Sequence, residues 1–294
     1  MSDPLIFIVD SEHDGDKAGR YLRTVCKLSA RTLAKIKRTE GALTINGQLL
    51  RTIDTIHSND TIKIIIPIEE NEIVPVEGNL EILYEDEFIV IVNKPSDMPV
   101  HPVKAHQMDT LANLFMYKYR GEDTAFHAIN RLDRNTSGAV IIAKDRHTAS
   151  LMQGTPVTKH YTAVCHGKII EKDTIDAPIA LRKDSKIVRC VSADGQRAIT
   201  HYTPVYTSEE MTVIDVTLET GRTHQIRCHM SSIGHPLLGD DLYGGFLDLI
   251  DRQALHCESI CFEHPFSHEL IKVVAPQPSD ISKLIRIITK PQNI

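Results

Sequence analysis

The clearest hydrophobic pattern in the chain is a short, wholly apolar run, Ala139 to Ala143, rich in branched residues and bounded by Gly138 and Lys144. Its length and composition predict a buried strand. Ile82 to Tyr84 and Phe88 to Val92 read as two strands about the acidic turn Glu85-Asp86-Glu87. Lys159 to Val164 alternates as a strand that ends by Gly167. Met211 to Leu218 alternates too, with Ile214, Val216 and Leu218 on one side. Gly195 to Thr200 with Tyr202 suggests a hairpin-like segment. Asp145 is placed to cap a short helix holding Ala149, Leu151 and Met152. Thr220-Gly221-Arg222-Thr223 turns the chain into a helix that runs to about Ile233 and stops at Gly234. A last helix is expected around Asp280 to Ile288.

The N-terminal part has a different texture. Residues 1–12 look like an extended lead-in. From Asp16 to Lys27, Ala18, Tyr21, Leu22, Val25 and Cys26 recur at helical spacing. Ser29 is the expected cap of a second helix, on which Arg31, Lys35 and Arg38 share one face while Leu33 and Ile36 turn inward. Then come a strand at Ala42 to Ile45, the tight-turn pair Asn46-Gly47 and a strand at Thr61 to Ile66. Residues 68–80 are acidic and broken by Pro75 and Gly78, which suits a linker.

Charge sharpens this division. The 294 residues carry a net −6, which by itself argues against nucleic acid. Residues 13–67, however, hold ten Lys/Arg against five Asp/Glu, a net +5 that leaves −11 for the rest. A basic unit joined to an acidic one suggests that the small part supplies attraction to phosphate. Six cysteines without a CxxC pair, no secretory signal and no apolar run near the ~20 residues of a membrane helix point to the cytoplasm.

Chemistry concentrates just before the apolar run. Asp133 lies between Arg131 and Arg134, and Asn135-Thr136-Ser137-Gly138 then leads into the strand. A carboxylate in a polar turn at the mouth of a buried strand is held rigidly and stays accessible to substrate. The string RLDRNTSG followed by a hydrophobic strand closely resembles the signature of the RluA-type RNA pseudouridine synthases. One position departs from it: the family often has His where Asn130 stands. Three further blocks match: Lys159-His160-Tyr161-Thr162-Ala163 with a glycine four residues on, TGRTHQIRCHM from Thr220, and RQALHCESICFEHP from Arg252 to Pro265, which resembles the family's final core strand. Asn93-Lys94-Pro95 and His101-Pro102 resemble the opening of the catalytic domain, and neither Lys94 nor His101 is given a chemical role. The order of elements over residues 13–67 is similar to the alpha-L RNA-binding motif.

The resemblance implies an α+β catalytic domain over residues 81–294, with a large, mostly antiparallel sheet and a central cleft. A small RNA-binding domain over 13–67 and a linker over 68–80 precede it. It implies isomerisation of uridine in RNA, with large-subunit ribosomal RNA the first expectation and transfer RNA the second. An RNA-binding or ribosome-assembly factor without catalysis is the alternative of another class. Asp133 is the implied essential catalytic residue, Arg227 the cationic residue set against it to keep it charged and oriented, and Tyr161 the active-site tyrosine that stacks on the extruded uracil. Arg131 is the residue that fills the vacated stack. Arg20, Arg31, Lys35, Arg38, Arg134 and Arg222 are the expected RNA contacts. The carboxylate serves by attacking the sugar or by moving a sugar proton, as in glycoside cleavage. No cofactor, metal or membrane is expected, and a monomer is.

Other chemistries fit poorly. On a strand, Cys257 and Cys261 would share a face about 13 Å apart while His256 and His264 point away, too far for ~2 Å metal bonds. His224 and His229 lie five apart on a helix and do not share a face. No glycine-rich phosphate loop appears, and Thr136-Ser137-Gly138 precedes a strand instead of turning from strand to helix as a hydrolase elbow does.

Overall fold

A computed structural model describes residues 4–28, 30–66 and 73–289. The N-terminal unit comprises β1 (Leu5–Ile8), α1 (Ala18–Thr24), α2 (Ala30–Ile36), β2 (Leu43–Ile45), β3 (Gln48–Leu49) and β4 (Thr61–Ile64). Its four strands run in the order β1-β4-β2-β3, all antiparallel. The stretch read as a lead-in therefore closes the sheet, with Leu5 opposite Ile64. Asn46 (φ 47°) and Gly47 (φ 81°) form the expected tight turn, since both positions need the left-handed region. Tyr21, Leu22, Ile36, Ile56, Ile62 and Ile64 fill a core of its own. Both helices are shorter than their patterns suggested: α1 stops at Thr24 and α2 at Ile36, so Arg38 lies in the turn beyond. Ser29, the side chain of Arg31, Pro67 and linker residues 68–72 lie outside the described residues. Residues 73–81 have no regular structure, and Val76 donates its N–H to Asn113.

The larger unit contains β5 (Ile82–Glu85), β6 (Ile89–Lys94), α3 (Leu111–Lys118), β7 (His127–Ala128), β8 (Ser137–Ala143), α4 (Arg146–Gly154), β9 (Thr158–His166), β10 (Asp173–Asp176), β11 (Ile179–Leu181), β12 (Arg189–Val191), β13 (Ile199–Thr207), β14 (Met211–Leu218), α5 (Gln225–Ser232), β15 (Leu255–Glu263), β16 (Leu270–Val274) and α6 (Ser279–Thr289). One ten-stranded sheet follows the order β10-β13-β14-β9-β15-β8-β6-β5, with β16 beside β15 and β7 beside β8. Every pairing is antiparallel except β15 with β8. This is the expected α+β architecture. All seven residues of β8 are buried, which explains its unbroken apolar run. Asp145 caps α4 by accepting the N–H groups of His147 and Thr148.

The register puts the chemistry-bearing segments at one place. Gly138 on β8 faces Cys257 on β15, Cys257 faces Tyr161 on β9, and Tyr161 faces Val216 on β14. Two inter-strand steps, roughly 10 Å, therefore separate Tyr161 from the start of β8. The chain leaves β14 at Leu218, two residues past Val216, and enters α5 beside them. Gly138 is required at its position: φ is +117°, and a Cβ there would lie 2.2 Å from the carbonyl oxygen of Cys257.

Candidate active site

Two buried cations shape the loop that carries Asp133. Lys94, fully buried at the end of β6, donates from Nζ to the carbonyls of Pro95 (2.7 Å), Met98 (2.8 Å) and Arg134 (3.0 Å). Burial, with the charge of Arg252 adding to it, pulls the Lys94 ammonium down to about 7. Arg252 donates from Nη1 to the carbonyl of Asn135 (3.0 Å), while its Nε and Nη2 grip Asp280 of α6. Gln253 donates to Thr136 Oγ1, and Ser137 Oγ lies 2.9 Å from His256 Nδ1. Consecutive carbonyls at 134 and 135 are thus held by buried cations, and the Asp133 side chain stays partly exposed, at 26%. Asn130 is buried and acts as a partner strand would: Nδ2 donates to the carbonyl of Ala139, and Oδ1 accepts from the N–H of Ile141.

Arg227, on α5, meets this carboxylate. Nη1 donates to Asp133 Oδ2 at 3.0 Å. Its other edge is clamped by Asp240, from Nε to Oδ2 (2.7 Å) and from Nη2 to Oδ1 (2.8 Å). Burial works to lower the guanidinium pKa, but the bonds and charge of Asp240, then Asp133, outweigh it and raise it. The aim of Nη1 is therefore set by a second, wholly buried carboxylate. The Tyr243 ring lies 5.0 Å below the Arg227 guanidinium carbon. His224 Nε2 stands 3.8 Å from Asp133 Oδ2.

Asp133 opens into a cleft that Arg131, Tyr161, Arg222, His224 and Arg227 also line. Four residues expected from the sequence, Asp133, Arg131, Tyr161 and Arg227, therefore share one cleft, joined by Arg222 from the expected RNA contacts. Burial, Cys257 and then Asp133 drive the Tyr161 phenol well above its ordinary value, so it remains protonated. Arg134 is turned away and pairs with Asp97 at 2.6 Å. Arg20, 3.5 Å from Asp16, belongs to a separate groove between α1 and α2, lined by Lys17, Arg20, Arg23 and Lys37. Lys35 lies near the end of α2 and Arg38 is exposed beyond it.

Lys94, His224, Asp240, Tyr243 and Arg252 were not selected by sequence reasoning. Asp240 offered one weak sign, a charged residue directly after Leu237-Leu238-Gly239. Among the described residues no group of three or more His, Cys, Asp or Glu is arranged to hold a metal ion.

The profile of the RNA pseudouridylate synthase family matches residues 88–232, the span that holds Asp133, Tyr161 and Arg227. The uncharacterized RNA pseudouridine synthase YjbO of Bacillus subtilis is 40% identical over 268 residues, 88% of this chain and 95% of that protein. The chain belongs to the RNA pseudouridylate synthase family. As an RNA pseudouridine synthase it is an isomerase, in keeping with the RluA-type signature. The ribosomal large subunit pseudouridine synthase D of Haemophilus ducreyi is 34% identical to this synthase, covering 88% of the chain and 86% of its own length. The human RNA pseudouridylate synthase domain containing 1 structure superposes with a TM-score of 0.57 at 24% identity, over 76% of this synthase and 99% of its own chain, a likeness of fold. No helix among the described residues is long and apolar enough to cross a membrane.

Proposed function

We propose that the enzyme converts uridines of large-subunit ribosomal RNA to pseudouridine, with Asp133 as its catalytic carboxylate. The observation that carries the assignment to Asp133 is the bond from Arg227, clamped by Asp240, to Asp133 Oδ2 at the floor of an open cleft. Among the described residues no hydrogen bond occupies the other oxygen, Oδ1, so it is available to the ribose of an extruded nucleotide. From there it attacks the anomeric carbon or takes a sugar proton as the bond to the uracil nitrogen breaks. Arg227 balances and orients the carboxylate throughout. Tyr161 supplies a neutral ring against which the freed base stacks and turns; its protonated phenol argues against service as a phenolate base. Arg131, exposed at the cleft mouth, enters the gap the uridine leaves.

The choice of ribosomal RNA rests on relatives such as the Haemophilus protein named for the large subunit. The N-terminal unit is read as an RNA-holding domain of alpha-L type. Its separate core and the cationic groove between α1 and α2 support that reading. Six free thiols, four of them buried, favour a reducing compartment, the cytoplasm.

Tritium release from RNA labelled at the fifth carbon of uracil tests the assignment. The wild type is expected to release tritium from ribosomal RNA, and Asp133→Ala to release none. Release by Asp133→Ala would remove that residue from the chemistry, and release from transfer RNA alone would correct the substrate.

A further inference from the structure

His224 stands out as the one cleft residue with a strained backbone. At φ 58° and ψ 22° it occupies the left-handed region at the entry to α5, a conformation that the Cβ of a non-glycine residue disfavours. The side chain does not cap the helix. Instead Nδ1 lies 3.0 Å from the hydroxyl of Tyr243, and Nε2 faces Asp133 Oδ2 at 3.8 Å. Strain retained where no cap is made points to a use for the imidazole itself.

The hydrogen-bond partners favour the tautomer with the proton on Nε2. The N–H of Arg189 donates to Tyr243 Oη at 2.8 Å, so that oxygen is already an acceptor. Among the described residues, the acceptor that meets the phenolic proton is His224 Nδ1. Nδ1 therefore accepts, and in the neutral imidazole the proton sits on Nε2, directed at Asp133. Tyr243 is held in turn by packing under Arg227 and edge-on against the His224 ring.

We propose that His224 is a positioning residue for Asp133. Its Nε2–H closes onto Oδ2 when RNA fills the cleft, and together with Arg227 it pins that oxygen so that Oδ1 faces the ribose. Hydrogen bonds of this kind are often long without substrate and tighten around it. The inference rests on the reading of Asp133 as the catalytic carboxylate. The charges facing His224 are Asp133 and Asp240, which favour its protonation, and Arg227 and Arg189, which oppose it; burial outweighs all four and lowers its pKa. The working form is accordingly the neutral one, and falling pH destroys it by placing a second proton on Nδ1, where Tyr243 donates.

The test measures kcat and KM for tritium release from labelled ribosomal RNA between pH 5.5 and 9, in the wild type, His224→Gln, His224→Asn and Tyr243→Phe. The Gln amide reaches the place of Nε2–H without titrating, whereas Asn, which tolerates the left-handed backbone, reaches only the place of Nδ1. His224→Asn is expected to lose tenfold or more in kcat at unchanged KM, as for the loss of one hydrogen bond to a charged group. His224→Gln is expected to recover most of that loss and to flatten the acid limb. Tyr243→Phe, which keeps the ring, is expected to move the acid limb to higher pH, because the bond that opposed protonation of Nδ1 is gone. Gln no better than Asn, a loss confined to KM, or an acid limb unmoved in both Gln and Phe variants would overturn the proposal. Absence of release from the wild type would instead strike the underlying assignment of the reaction.

Discussion

Arg227 serves two carboxylates of different standing, one open to substrate and one sealed. Asp240 has no exposure and both its oxygens are occupied by the guanidinium, so it has no direct part in chemistry. Its effect is to fix the Nε–Nη2 edge of Arg227, so that the remaining nitrogen, Nη1, is aimed at Asp133. Asp240→Asn removes a buried charge from under a buried cation, a class of change that destabilises by about 3–5 kcal/mol. It is also expected to lower kcat about 100-fold in protein that urea titration shows to be folded, because a small misdirection of Nη1 displaces Asp133. Full kcat in the folded variant would reduce Asp240 to a structural role. The one sign in its neighbours, a charge directly after Leu237-Leu238-Gly239, did not link it to Arg227. Arg227 was legible through its place in TGRTHQIRCHM, whereas its clamp lies thirteen residues on, in a loop shaped by tertiary packing: a Cβ at Gly239 would lie 2.0 Å from the Arg252 carbonyl oxygen.

The loop between β7 and β8 behaves as an element although it has no regular structure. Lys94 holds it from one side and Arg252 from the other, and Arg252 ties it to α6 through Asp280. Lys94→Met leaves the carbonyls of Pro95, Met98 and Arg134 without their shared donor, so a loss of about 1–3 kcal/mol is expected. The pH dependence has a definite sign. With a folded-state value near 7 and an unfolded value near ~10.4, the folded protein binds the Lys94 proton less readily than the unfolded chain does. The cost of burying that charge is fully present below about pH 7 and is relieved as pH rises toward ~10.4. Melting curves should therefore show the wild type gaining on Lys94→Met between pH 7 and 10, and a constant gap would refute it. The elements themselves were largely readable: β8, β9, β14 and α5 each bury a side or stripe that repeats at the period of a strand or helix. Lys94 was not, because a lysine before a proline shows no local sign of burial, and the carbonyls it serves come from residues 95, 98 and 134. The ends of α1 and α2 were misjudged for a related reason: the apolar stripe continues past the last helical turn into residues such as Cys26, which the core of the N-terminal unit still buries.

At the scale of the molecule, two hydrophobic cores with no residue in common underlie two basic sites, the cleft at Asp133 and the groove of the N-terminal unit. Replacing Lys17, Arg20, Arg23 and Lys37 with Ala is expected to weaken RNA binding and to flatten its salt dependence by about 0.7–0.9 in log–log slope for each phosphate no longer neutralised. Replacing Arg31, Lys35 and Arg38 instead serves as the comparison, and a larger effect from that set would move the proposed RNA contact from the groove to those residues. The topology also bears on how the protein is made. The four strands of the N-terminal unit all lie before residue 65, whereas β8 remains without its parallel neighbour until β15, more than a hundred residues later, has left the ribosome. At about 5–20 residues per second that interval lasts on the order of ten seconds. During it the nascent chain already has its cationic groove, while Tyr161 and the Asp133 loop still lack the strand that joins them. Under the role proposed for the N-terminal unit, a chain in mid-synthesis would hold RNA before it could modify it, and one cut short before β15 would stay so.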